Sequence, residues 1–140
     1  MEKFFTFVMN HWVLSFAFVF LVVLLLVETF KRRFLGFKEI DAPEAVRRMN
    51  HDDAVVLDVR EDQEFAEGHI VNALHIPVGV LDKRLNELEA HKDKPIIVYC
   101  RSGDRAARAS ATLHKQGFTA VFKLNGGVLA WRAANLPVQK

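Results

Sequence analysis

Cys100 is the only cysteine of this 140-residue chain, and it stands at an abrupt change of sequence character. Before it, Ile96-Ile97-Val98-Tyr99 is an apolar run of the kind buried on both faces of a sheet. After it comes Arg101-Ser102-Gly103-Asp104-Arg105, and from Ala106 the chain turns alanine-rich (Ala106, Ala107, Ala109, Ala111), a helix-forming composition. A cysteine between a strand's carboxyl end and a helix's amino end occupies the place where open α/β sheets bind ligands, beside free N–H groups that attract an anion. A thiolate is such an anion. Thiols ionise near pH ~8.5, and a helix N-terminus with neighbouring cations lowers that value. Arg101 and Arg105 supply the cations, and Gly103 frees the backbone so that successive N–H groups can converge. Arg105 is the better candidate for gripping an anionic substrate, since the loop must curl back toward Cys100, whereas Arg101 is expected to face solvent. Asp104 reads as a loop or cap residue. A lone cysteine after a strand is by default a small buried hydrophobe, but the Gly103-Asp104-Arg105 that follows argues for an exposed thiolate.

Other polar residues have plainer readings. Asp58 and Arg60 could form an acid and a charge clamp, but at the end of an apolar run they are expected to hold loops together by hydrogen bonds. His69, beside Gly68, reads as structural rather than as a general base. The six histidines are spread from His11 to His114 without metal-ligand spacing, so no metal site is expected. A single cysteine rules out an intramolecular disulfide and a CxxC pair. Gly126-Gly127 is not a phosphate loop, because no lysine-serine pair follows it, and Trp131 reads as core. The net charge of +2, with basic residues mostly scattered, leaves no phosphate-tracking surface and hence no nucleic-acid partner.

The elements that must position this loop alternate between strand and helix. Asp41-Ala42-Pro43-Glu44 is a helix start, with Ala45, Val46 and Met49 as its apolar side. Ala54 to Val59 reads as a strand, Glu61 to Gly68 as a short polar helix, and Ala73 to Ile76 as a second short strand stopped by Pro77. Leu81, Leu85 and Leu88 fall at i, i+4 and i+7 and predict an amphipathic helix. Ile96 to Tyr99 is the central strand and Arg105 to Gln116 the next helix, with Gly117 placed to end it. Ala120 to Leu124 is a further strand, Asn125-Gly126-Gly127 a tight turn, and Val128 to Ala134 a last helix. Such alternation means a parallel sheet with helices on its faces.

Taken in order, Asp58-Val59-Arg60, Glu64-Phe65, Gly68-His69-Ile70, Asn72-Ala73, Ile76-Pro77, Cys100 to Arg105, Gly117-Phe118, Gly126-Gly127, Trp131 and Leu136-Pro137-Val138 resemble the rhodanese-like sulfurtransferase family in its single-domain form. The resemblance runs from about Ile40 to Val138. It implies a three-layer α/β/α domain with a five-stranded parallel sheet and no metal or organic cofactor. It also implies that Cys100 opens a six-residue active-site loop, Cys100-Arg101-Ser102-Gly103-Asp104-Arg105; Asp58, Arg60 and His69 read as residues that support it. The implied chemistry is transfer of a sulfane sulfur from a donor such as thiosulfate to Cys100 as a persulfide, then to a thiol or cyanide-like acceptor. Active loops of the family often carry serine or threonine after the arginine. Ala106 takes that place here and removes a hydroxyl, and Asp104 sets a negative charge among the arginines.

Toward the N-terminus, Phe4 to Val27 contains no Lys, Arg, Asp or Glu, and Phe16 to Val27 is wholly apolar. As a helix that run crosses the ~30 Å hydrocarbon layer. A cleavable signal peptide is disfavoured, because Leu26-Val27-Glu28-Thr29 offers no small-x-small site. Lys31, Arg32, Arg33 and Lys38 follow the span and only Lys3 precedes it, so the positive-inside rule places the N-terminus outside and the remainder in the cytoplasm. The expected organisation is a transmembrane anchor over 1–29, a basic juxtamembrane linker over 30–39, with Gly36 to Ile40 as a connector, and a rhodanese-like domain over 40–140. This combination is similar to the membrane-attached bacterial members of the family and implies a single-pass protein of the inner membrane. Two rivals to catalysis stand beside it. One is a non-catalytic binding module that holds a membrane-protein partner. The other is oxyanion chemistry of the phosphatase type, which in related folds goes with a longer loop.

Overall fold

Residues Ile96–Tyr99 are all buried, as a strand flanked on both sides and covered on both faces must be. The computed structural model describes residues 1–140 except the side chains of Arg32 and Arg33, so part of the predicted basic cluster lies outside the described residues. It separates into two units, Met1–Leu35 and Gly36–Lys140. The first holds α1 (Glu2–Asn10) and α2 (Trp12–Phe34). Within α2, Trp12–Lys31 has a mean hydropathy of 2.7 and no buried residue, which makes it long and apolar enough to cross a membrane.

The second unit runs β1 (Lys38–Ile40), α3 (Ala42–His51), β2 (Val55–Asp58), α4 (Asp62–Ala66), β3 (His69–Ile70), β4 (Leu74–His75), two 3₁₀ helices, β5 (Ile96–Tyr99), α5 (Asp104–Lys115), β6 (Val121–Leu124), α6 (Gly127–Ala133) and β7 (Val138–Gln139). Five strands form a parallel sheet in the order β1-β6-β5-β2-β4. Side chains of successive residues alternate between its faces. Leu57, Ile96, Val98, Cys100 and Val121 join Ala106, Ala109 and Leu113 of α5 in one core, whereas Val56, Ile97, Tyr99, Phe122 and Leu124 join Ala45 of α3 and Val128 and Trp131 of α6 in the other. The result is the expected three-layer α/β/α architecture.

Two local readings change, and one strand pair is added. The stretch 30–39, expected as a basic juxtamembrane linker, contains regular structure at both ends. Helix α2 continues to Phe34, and Lys38–Ile40 pairs with Phe122–Leu124 as the edge strand of the sheet. Only Ile40 of that strand is buried, so it carries almost no hydrophobic signal of its own. The leucine pattern at 81, 85 and 88 is housed in two 3₁₀ helices, Val78–Lys83 and Leu85–His91, broken at Arg84. Leu81 and Leu88 are buried all the same, because burial constrains where leucines point and not which helical hydrogen bond forms. Finally, β3 and β7 form a separate antiparallel pair that joins His69 to Gln139 and Ile70 to Val138. Strands two residues long are too short to show periodicity.

Candidate active site

Cys100 follows β5 directly and continues its alternation, so its side chain points into the core beneath α5. It is 1 % exposed. This corrects the expectation of an exposed thiolate: the strand's pleat turns the sulfur inward, and the loop folds over it. The backbone N–H of Gly103 donates to Cys100 Sγ at 3.0 Å. Gly103 (φ +138°) is also the N-cap of α5, so the sulfur lies at the positive end of a twelve-residue helix whose cap residue has no side chain.

Helix α6 holds the same loop from behind. The N–H of Val128 donates to the carbonyl of Cys100 at 2.9 Å, and that of Leu129 to the carbonyl of Arg101 at 3.3 Å. These are N–H groups of the first turn of α6, which have no partner within their own helix. Gly127, at φ +56°, permits the approach, because a Cβ there would collide with the carbonyl oxygens of Cys100 and Arg101. The Gly126-Gly127 turn therefore serves the Cys100 loop by close backbone contact.

The charged residues of the loop separate. Arg101 and Ser102 are exposed, and Arg101 borders a cleft of about 210 Å³ shared with Arg60, Glu64, Glu67, Val128, Leu129 and Arg132. Asp104 is exposed in the first turn of α5, where a carboxylate complements the helix dipole. Arg105 is half-buried and donates two parallel hydrogen bonds, 2.7 and 2.9 Å, to the carboxylate of Glu64 on α4. Those bonds hold the Glu64 carboxyl below its ordinary range, and the same pair raises Arg105. The predicted donor-binding cation is thus engaged by a carboxylate. Ala106 is fully buried beside Cys100.

Asp58 and Arg60 form a buried ion pair. The Asp58 carboxylate accepts the backbone N–H of Arg60 at 2.9 Å, its Nη2 at 2.7 Å and the Tyr99 hydroxyl at 2.6 Å. The Tyr99 oxygen in turn accepts the N–H of Ile70 at 3.0 Å, and Arg60 Nη2 donates to the carbonyl of Gly68 at 2.8 Å. Burial, reinforced by the Asp58 charge, pushes the Tyr99 phenol well above its ordinary value, so it stays a donor. His69 donates from Nδ1 to the carbonyl of Phe65 at 3.1 Å, which leaves Nε2 to accept from the Gln139 amide at 3.3 Å. Both nitrogens are occupied, and the ring stacks on Phe65 at 3.8 Å. Among the described residues no cluster of three or more His, Cys, Asp or Glu side chains could hold a metal ion.

Two charged side chains near the loop escaped the sequence reading. Glu64 enters the sequence pattern only through the Glu64-Phe65 pair. Lys123, on β6, has its side chain 15 % exposed and paired with Glu39 Oε1 at 3.0 Å, and a Cβ on Gly103 would lie 3.5 Å from its Nζ. The signal for Lys123 is a lysine inside the otherwise apolar run Val121-Phe122-Lys123-Leu124.

Residues 41–134 match the rhodanese-like domain, and the chain belongs to that family. It is 40 % identical over 139 residues to the YibN protein of Escherichia coli K12, covering 99 % of this chain and 97 % of that one. A sulfurtransferase of Allochromatium vinosum is 37 % identical over 101 residues, covering 71 % of this chain and 92 % of its own length. The crystal structure of a rhodanese-related protein from Thermoplasma volcanium superposes with a TM-score of 0.67 at 31 % identity, covering 74 % of this chain and 98 % of that one.

Proposed function

We propose that this protein is a membrane-anchored sulfurtransferase with Cys100 as its nucleophile. The carrying observation is the Gly103 N–H donated to Cys100 Sγ at the positive end of α5, an arrangement that stabilises negative charge on sulfur. The Cys100 thiolate attacks the outer sulfur of a thiosulfate-type donor. A new S–S bond forms, the donor's S–S bond breaks, and its electron pair leaves on sulfite. A thiol or cyanide-like acceptor then attacks the outer sulfur of the persulfide and releases the Cys100 thiolate. The acceptor must be external, since the chain has no second cysteine to resolve the persulfide. Arg105 and Arg101 bind the anionic donor in this scheme, with Arg105 exchanging Glu64 for it, while Ser102, Gly103 and Asp104 shape the loop. Asp58, Arg60 and His69 support it. Similarity to a sulfurtransferase supports the reading. The apolar α2 is assigned as the anchor, with the domain on the cytoplasmic side following the basic residues after the span.

Incubation with thiosulfate is expected to add one sulfur to the intact protein by mass, and Cys100→Ser to abolish the adduct. Absence of the adduct with every sulfane donor tried overturns the assignment. A second reading, a binding module tethered beside a membrane-protein partner, draws on the burial of Cys100 and the engagement of Arg105 by Glu64. It predicts no persulfide, and a crosslinked partner that survives Cys100→Ser.

A further inference from the structure

Lys123 occupies an unusual place for a cation. Its partner across β5 is Val98, so its side chain lies on the sheet face that carries Cys100 and α5. It reaches the underside of Gly103, the residue that both caps α5 and donates to the sulfur. A cation at a helix N-terminus is opposed by the helix dipole, and a partly buried ammonium also loses hydration. The compensating charge comes from Glu39, its register neighbour on β1, at 3.0 Å. The other charges of the loop are Arg101, Asp104 and Arg105, of which Arg105 is already paired to Glu64.

We propose that Lys123 is a specificity-determining residue of the Cys100 loop: its ammonium favours anionic reagents at the thiol, and Glu39 sets how much of that field the loop experiences. The edge strand next to the juxtamembrane segment thereby tunes the charge of the site. The proposal needs only a reactive Cys100 and does not depend on the sulfur-transfer reading.

The test uses the full chain in detergent, where Cys100 is the only thiol. Alkylation rates with iodoacetate (anionic) and iodoacetamide (neutral) are measured by mass, and their ratio isolates the field from changes in thiol accessibility. Lys123→Gln is expected to lower the iodoacetate-to-iodoacetamide ratio by about two- to threefold, the size expected of one screened charge within several ångströms. Glu39→Gln is expected to raise it by a similar factor, and Lys123→Arg to keep it near the wild-type value. Both glutamine variants break the same ion pair, so a merely structural role moves the ratio in one direction for both. That outcome, or an unchanged ratio in Lys123→Gln, overturns the proposal. Because no sulfur donor is used, its failure and the failure of persulfide formation are separate results.

Discussion

At the scale of single residues, backbone contacts hold the Cys100 loop, and one buried ion pair at the end of β2 is tied to Tyr99 of β5. Asp58 is the hub: it takes hydrogen bonds from Arg60 and Tyr99, and Tyr99 passes the connection to Ile70. Breaking a buried ion pair from one side leaves an uncompensated charge and costs about 3–5 kcal/mol. Asp58→Ala is therefore expected to lower the stability of the domain by that amount in urea denaturation. Tyr99→Phe, which orphans the Ile70 N–H and removes one hydrogen bond to the Asp58 carboxylate, should cost about 1–3 kcal/mol. Gly127 presents a different constraint, since a methyl group there meets the Cys100 and Arg101 carbonyls and the backbone is at positive φ. Gly127→Ala is expected to destabilise by more than the ~1–3 kcal/mol of backbone strain alone. It should also slow Cys100 alkylation relative to Ala130→Gly, a change on the same helix away from those carbonyls.

At the scale of elements, the Cys100 loop is tied on three sides. Strand β5 delivers Cys100, α6 holds the loop carbonyls, and α4 holds Arg105 through Glu64. The last tie depends on pH. Arg105 keeps the folded-state carboxyl of Glu64 below its ordinary value of 4.5. A depressed carboxyl contributes stability that is fully present above the unfolded value and lost as pH falls through the folded one. The stability difference between wild type and Glu64→Gln is accordingly expected to be largest near neutrality and to shrink as pH drops below about 4.5. Guanidine titrations at several pH values check this, and a difference that grows toward acid contradicts the role given to the pair. Elements also differ in how clearly the sequence announces them. Helix α5 and strand β5 have composition and length enough to be read directly, while β1, β3 and β7 owe their existence to pairing partners elsewhere in the chain.

At the scale of the whole molecule, the chain consists of an apolar helical unit and an α/β unit with its own two-sided core. The boundary that matters for folding lies before β1 and not after it. A fragment beginning at Gly36 is expected to unfold in one cooperative transition. One beginning at Asp41 lacks β1, the burial of Ile40 and the Glu39–Lys123 pair. It should be less stable by at least ~1.5 kcal/mol, the contribution of one buried aliphatic side chain, which thermal or urea melts of the two fragments would show. Equal stability would mean that the edge strand contributes nothing.

The sequence by itself determined the strand–cysteine–helix order, the alternation that requires a parallel sheet, and the apolar span of α2. These are local properties, written in composition and in periods of two and of about 3.6 residues. The tertiary structure alone decided that Cys100 is buried and that Glu64 faces Arg105 and Asp58 faces Tyr99. In the same way it seated Lys123 beneath Gly103 and made Lys38–Ile40 part of the sheet. Those outcomes follow from strand order and register, which bring together residues such as Glu64 and Arg105, 41 positions apart in the chain. No local pattern encodes which distant charges will meet.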